Sequence, residues 1–281
     1  MRIRRFFKGL AYKFQYQRAR LVDTSLCGIP LKTTRGTIRK TVDQDDAWFF
    51  HLSKHHNSIF DIGCNVGYTA LLALIQDPEK FYLLVDPNPS ALNEAQLNLI
   101  SNNLGFRAHY YLGFVSDSSH KRVTFYTIGA GAAGSMYTTH ATSAAAINSH
   151  IEVNTITLDY LYKFYTIKPD LIKIDVEGAE TQVMEGACLV AKEMQCAFFI
   201  EMHTVKDLGM EKAGQFMLDW CAKMHYKAWY LKTGKELIKA ETIKDRGKCH
   251  LLLLPETTAY PTYLINIKQN APLPNTLIDA I

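Results

Sequence analysis

A chain of 281 residues that is 48% apolar and 21% charged has the length and balance of a soluble globular protein with a substantial core. No uninterrupted apolar run approaches the ~18–20 residues of a membrane span. Six scattered cysteines without a C-x-x-C pair argue against a zinc site and for the reduced thiols of a cytosolic protein.

The net charge of +4 is unevenly placed. The first twenty residues carry Arg2, Arg4, Arg5, Lys8, Lys13, Arg18 and Arg20 and no acid, so the remainder has 24 basic against 27 acidic residues. A slightly acidic body is no nucleic-acid surface on charge grounds. Within residues 1–20, Ile3, Phe6, Phe7, Leu10 and Phe14 fall at helical spacing among the basic residues, which predicts an amphipathic helix. Such a helix packs its aromatic face on the body or another subunit, or meets an anionic membrane peripherally.

Residues 21–44 are turn-rich and read as short lead-in strands. Asp45 to His56 reads as a helix with Trp48, Phe49 and Leu52 inward. His51 and His55 stand four apart on it, but with no third ligand nearby they read as exposed histidines. A regular pattern then begins. An apolar strand, Ile59 to Ile62, runs through Gly63 and Gly67 into a helix to Ile75. A second strand, Phe81 to Val85, ends in Asp86-Pro87-Asn88-Pro89. Ser90 is the expected N-cap of a helix over Ala91 to Asn103, stopped by Gly105. Strands apolar throughout and joined by helices predict a parallel sheet covered on both faces.

Ala108 to Val115 and Val123 to Ile128 read as further strands. Residues 129–150 are small and polar and read as a functional loop, and Val153 to Thr157 as a strand. Strand–helix order resumes at Asp170 to Asp175, with a helix from Glu180 to about Ala191. A strand over Cys196 to Met202, a helix over Glu211 to Met224, and closing strands at Tyr226 to Leu231 and His250 to Leu254 complete the pattern.

Open α/β sheets bind ligands at the carboxyl ends of their strands. Gly129-x-Gly131-x-x-Gly134 matches the dinucleotide string, but no helical pattern follows it, and a pyrophosphate needs one. The Asp61-x-Gly63-x-Asn65-x-Gly67 stretch has the strand–turn–helix context. Its carboxylate would repel a pyrophosphate and suits a cationic group. Asp86, at the end of the second strand, can accept from both ribose hydroxyls of an adenosine. Ser116-Asp117, near the end of the third strand, could accept from an adenine amino group. Adenosine, an amino group and no phosphate describe S-adenosylmethionine.

Phe60-Asp61-Ile62-Gly63-Cys64-Asn65-Val66-Gly67-Tyr68, Val85-Asp86-Pro87-Asn88-Pro89, Asp170 to Glu180 and Ile200-Glu201-Met202-His203 resemble the FkbM family of S-adenosylmethionine-dependent methyltransferases over about residues 55–205. Asp86, where the family more often has Glu, and Cys64, in place of a more usual Ala, are the departures. The resemblance implies a Rossmann-like class I α/β fold, mostly parallel with an antiparallel closing strand. It also implies methylation of hydroxyl groups on sugars, glycolipids or natural products. The expected cofactor contacts are Asp61, Gly63, Asn65, Gly67 and Tyr68 in the first loop, Asp86, Pro87 and Asn88 in the second, and Ser116 and Asp117 after the third strand.

A neutral hydroxyl is a poor nucleophile, and a general base helps by about 10²–10⁴-fold. The candidates at the ends of the fourth and fifth strands are Asp175, Glu177, Glu201 and His203. His203 has the suitable unperturbed pKa, whereas a carboxylate needs burial to become basic. No metal ligand is assigned. The expected organisation is an extension and lead-in over 1–40 and a methyltransferase domain over 41–281, cytoplasmic or membrane-peripheral. The alternatives are a nicotinamide-dependent oxidoreductase using Gly129–Gly134 and a catalytically silent cofactor-binding module.

Overall fold

Strands that are apolar on both faces must be covered on both faces, and the chain meets this demand with helices on either side of one large sheet. The computed structural model describes residues 20–275, apart from 40, 42, 44, 129–133, 138–140, 206 and 207. The expected basic helix and the first two glycines of the Gly129–Gly134 string lie outside the described residues.

In chain order, a hairpin of β1 (Leu21–Leu26) and β2 (Ile29–Thr34) leads into α1 (Asp46–Lys54). Then come β3 (Ser58–Ile62), α2 (Tyr68–Leu74), β4 (Phe81–Asp86), α3 (Pro89–Ile100), β5 (Ala108–Leu112), β6 (Phe114–Val115) and β7 (Arg122–Tyr126). The middle of the chain forms α4 (Thr142–Ala146), β8 (His150–Ile156), α5 (Leu158–Tyr165), β9 (Leu171–Ile174), α6 (Glu180–Glu185) and α7 (Cys188–Met194). It ends with β10 (Ala197–His203), α8 (Gly209–Met224), β11 (Tyr226–Tyr230), β12 (Lys235–Glu236) and β13 (Lys248–Pro255).

The main sheet has the order β12-β11-β13-β10-β9-β3-β4-β5. The run from β10 to β5 is parallel, and β13 enters antiparallel between β10 and β11. This is the class I methyltransferase architecture, with the antiparallel closing strand in place. The strand order reverses at β3 and β9, where two crossovers leave in opposite directions and open a crevice. One core packs around Ile62, Ile172, Phe198 and Leu251, and another, on the opposite face, around Phe49, Leu71, Tyr82 and Phe199.

Several local expectations change in detail. The N-cap of α3 is Asn88 rather than Ser90: its Oδ1 accepts from Ser90 N–H at 3.0 Å, with Pro89 opening the helix. The strand expected over Ala108–Val115 divides at Gly113, and β6 leaves to join β8 and β7 in a small separate sheet. The helix expected from Glu180 to Ala191 also divides. A Cβ on Gly186 would stand 2.3 Å from the Ser116 carbonyl oxygen, so the chain needs glycine at that break. Helix α5 was not anticipated. Thr157 Oγ1 caps it by accepting from Tyr160 N–H at 3.1 Å, and Leu158 and Leu161 are its buried residues. Residues 141–149 are not wholly loop, since they hold the short α4.

Candidate functional site

The loop after β3 is held by backbone geometry that the sequence only hinted at. Gly63 and Gly67 both have positive φ, +84° and +78°. A Cβ on Gly63 would lie 1.8 Å from the carbonyl oxygen of Asp175, and one on Gly67 would press on Ala95 of α3 at 3.0 Å. The glycines therefore let the loop pass β9 and α3, beyond any room they make for a ligand. Asn65 also has positive φ, +47°, and its N–H donates to Asp86 Oδ2 at 2.8 Å.

Beneath this loop lies a cavity of about 290 Å³. Its walls include Gly63, Asn65, Tyr68 and Thr69 from the first loop, and Asp86, Pro87 and Asn88 from the end of β4. Gly113, Phe114, Val115 and Phe125 come from around the small sheet, and Lys173, Asp175 and Glu177 from the end of β9. Gly36, Thr37 and Arg39, from the connection between β2 and α1, also line it. Sequence reasoning missed this connection, because nothing in its pattern reveals that it returns over the glycine loop.

Asp86 is 7% exposed. Its two oxygens accept from Asn88 N–H and Asn65 N–H at 2.8 Å each. Burial pushes its pKa up to about 6 against the lowering effect of those N–H groups. Asn65 Oδ1 is buried without a hydrogen-bond partner among the described residues. A bound ligand donor would satisfy it.

Asp61 takes a different position from the one expected. In the sheet register it lies directly beside Lys173, one strand away. Its carboxylate is fully buried and accepts from Lys173 Nζ (3.1 Å), Thr69 Oγ1 (2.5 Å) and Tyr82 OH (3.0 Å). It does not line the cavity, so its charge is spent on the sheet interior and on α2 rather than on a ligand cation. Ser116 and Asp117 also stand off the cavity wall. Asp117 is turned to the Ser118 hydroxyl at 2.6 Å, which holds its pKa down. The wall near the third strand is instead apolar, with Phe114 and Phe125 tilted 6.2 Å apart.

The four candidate catalytic residues form one cluster in two layers. Asp175 and Glu177 line the cavity, while Glu201 and His203 stand behind them at the end of β10. His203 Nδ1 meets Glu180 Oε1 at 2.9 Å, and the same oxygen accepts from Gly178 N–H at 2.9 Å. His203 Nε2 lies 3.6 Å from Glu177 and 3.6 Å from Glu201. Glu180 was read only as part of a motif; in the structure it ties the turn after β9 to the histidine. Ser135 Oγ donates to the Glu177 carbonyl at 2.8 Å and fixes the same turn from the loop after β7.

The electrostatics reverse the roles expected of the cluster. Burial would lower the pKa of His203, but the Glu180 contact and the charges of Glu180, Asp175 and Glu177 raise it to about 10. The imidazole is thus a cation at neutral pH, and the expectation of an ordinary histidine base does not hold. Burial, reinforced by Glu201, pushes Asp175 up to about 8. Burial works to raise Glu201 as well, but His250, His203 and Lys248 outweigh it and hold that carboxylate well below its usual range. Glu201 pairs with Lys248 Nζ and has His250 Nε2 3.7 Å away. Lys248 and His250, on β13, in turn line a second cavity of about 350 Å³. The ligand atoms of Asp175, Glu177 and His203 lie within 4.8 Å of one another, as do those of Asp45, Glu201 and His250, so either trio could hold a metal ion.

The family profile described as the methyltransferase FkbM domain matches residues 61–228, more than half of the chain. No curated protein sequence matches significantly. Among solved structures, the chain is similar to methyltransferase FkbM from Methylobacillus flagellatus, at 14% identity and a TM-score of 0.44, over 78% of this chain and 45% of that one. It is similar to M. jannaschii TYW2 in complex with AdoMet, at 10% identity and 0.42, over 85% and 86% of the two chains. It is also similar to the O-methyltransferase from Bacillus cereus in complex with SAH, at 12% identity and 0.42, over 74% and 79%. This chain thus spans less than half the length of the Methylobacillus protein.

Proposed function

The chain belongs to the FkbM methyltransferase family, and on that premise we propose that it transfers a methyl group from S-adenosylmethionine to a hydroxyl oxygen of a sugar, glycan or related small molecule. The observation that carries the cofactor reading is the buried Asp86 carboxylate at the cavity wall, held by two backbone N–H groups beside the unpartnered Asn65 Oδ1. Asp86 accepts from the ribose hydroxyls, and Phe114, Val115 and Phe125 form an apolar slot for adenine. The methyl end then falls toward Asp175 and Glu177.

When bound, the cofactor supplies an activated methyl on a sulfonium, so the protein's work is to position and deprotonate the acceptor. Asp175 is the base. A carboxylate raised to about 8 can hold the hydroxyl proton near neutral pH, which an ordinary aspartate cannot. His203, kept charged by Glu180, orients Glu177 and balances the acids around the acceptor.

Thermal melting tests the cofactor reading. A ligand at 100 times its dissociation constant adds about 2.7 kcal/mol. S-adenosylhomocysteine is expected to raise the melting temperature and NAD to leave it unchanged; the reverse would overturn this function in favour of an oxidoreductase. For the acceptor, radiolabelled methyl transfer to hydroxylated metabolites and glycan extracts should give base-stable label. Label confined to amines or nucleic acid would overturn O-methylation.

A further inference from the structure

Two cations line the cofactor cavity among the described residues, Lys173 and Arg39. Lys173 is committed to the interior: its Nζ lies 3.1 Å from Asp61 and 3.7 Å from Asp175. Arg39 is placed differently. It sits in the connection between β2 and α1, ahead of the segment matched by the family profile. Asp43, Asp46 and Asp45 approach it at 2.8, 3.1 and 3.8 Å, all at the single nitrogen Nη1. Its guanidinium carbon lies 4.8 Å from the centre of the Tyr68 ring, and Tyr68 opens the helix after the glycine loop. A guanidinium has five N–H donors in a planar fork. Three carboxylates on one corner and an aromatic ring against it fix the plane and leave the Nε and Nη2 donors without a hydrogen bond among the described residues. The side chain is 38% exposed, so it remains open to a ligand.

Arg39 and Tyr68, in contact with each other, line the same cavity as Asp86 and the apolar slot of the small sheet. If adenosine occupies Asp86 and that slot, Arg39 is the lining cation left for the carboxylate at the amino-acid end of the cofactor, because Lys173 is paired with Asp61 and Asp175. We propose that Arg39 binds the α-carboxylate of the methionine moiety through the guanidinium edge that its acidic neighbours leave open. The inference rests on the S-adenosylmethionine reading of the cavity. It assigns the selection of the intact cofactor to a strap outside the family-matched segment. Planar, bidentate recognition of a carboxylate is what arginine does better than lysine.

The test is isothermal titration of the full chain with S-adenosylmethionine and with its decarboxylated analogue, which keeps the adenosine, sulfonium and ammonium groups. In Arg39→Gln, affinity for S-adenosylmethionine should fall by about 10–100-fold, as expected for a lost hydrogen-bonded charge contact, and affinity for the analogue should change less than about twofold. Arg39→Lys should recover only part of the loss. Retained binding of the analogue shows that the variant is folded with its cavity intact. Equal weakening of both ligands would make Arg39 a structural residue and overturn the proposal, as would an unchanged affinity for S-adenosylmethionine. If the wild-type chain bound neither ligand, the cofactor reading would fall first and take the proposal with it.

Discussion

The decisive chemistry at the residue scale is the separation of Asp175 from its neighbours. Three carboxylates and a histidine of ordinary pKa would offer an imidazole base at neutral pH. The structure surrounds His203 with Glu180, Glu177 and Glu201, so its proton stays, while burial and Glu201 raise Asp175. The value of kcat/KM should therefore rise with pH through about 8, as Asp175 loses its proton, and pH–rate measurements check this. Asp175→Asn should keep S-adenosylhomocysteine binding and lose about 10²–10⁴-fold in turnover. Glu201→Gln removes a charge that raises Asp175, so the rising limb should move to lower pH; a limb that stays in place would remove Glu201 from this role. Stability has its own pH dependence. His203 has a folded pKa of about 10 against an ordinary 6.5, so its contribution is complete below pH 6.5 and is lost as pH rises through about 10. Melting temperatures should show a decline between those values that is smaller in His203→Asn.

The element that matters most is the strand–turn–helix of β3 and α2, and it works through its neighbours. Gly63 was legible as a glycine that a tight turn requires. Its physical reason was not, because the atom a side chain would strike belongs to Asp175, more than a hundred residues away in the chain. Gly63→Ala should therefore push the end of β9 aside and abolish cofactor binding with a loss of melting temperature. Calorimetry and melting curves measure both effects. Asp61 gives the same lesson with the opposite outcome for the reading. An acid at a strand end was visible in the sequence, but the residue beside it in the sheet, Lys173, was not, and that pairing holds Asp61 in the sheet interior, off the cavity wall. The Val176–Glu180 turn is similar: Glu180 Oε1 serves both Gly178 N–H and His203 Nδ1, and only the adjacency of β9 and β10 brings those groups together.

At the scale of the molecule, apolar periodicity sufficed for the class of fold. Strands buried on both faces and separated by helices have few arrangements that cover them, and the parallel sheet is the one taken. The antiparallel entry of β13 was foreseeable only through family resemblance, because a closing strand has the same composition whichever neighbour it pairs with. By itself the sequence determined the alternation of strands and helices in the main sheet, the glycine turn, the acids at successive strand ends and the family, since these depend on residue type and on spacing along the chain. Tertiary structure alone decided which acids face the cavity, which are consumed in the interior, and which histidine keeps its proton. Burial and the distance between charges on separate strands set those properties, and neither is written in local spacing. The same holds for Arg39, whose sequence neighbours are unremarkable and whose place over the glycine loop exists only once β2 and α1 have packed against the sheet.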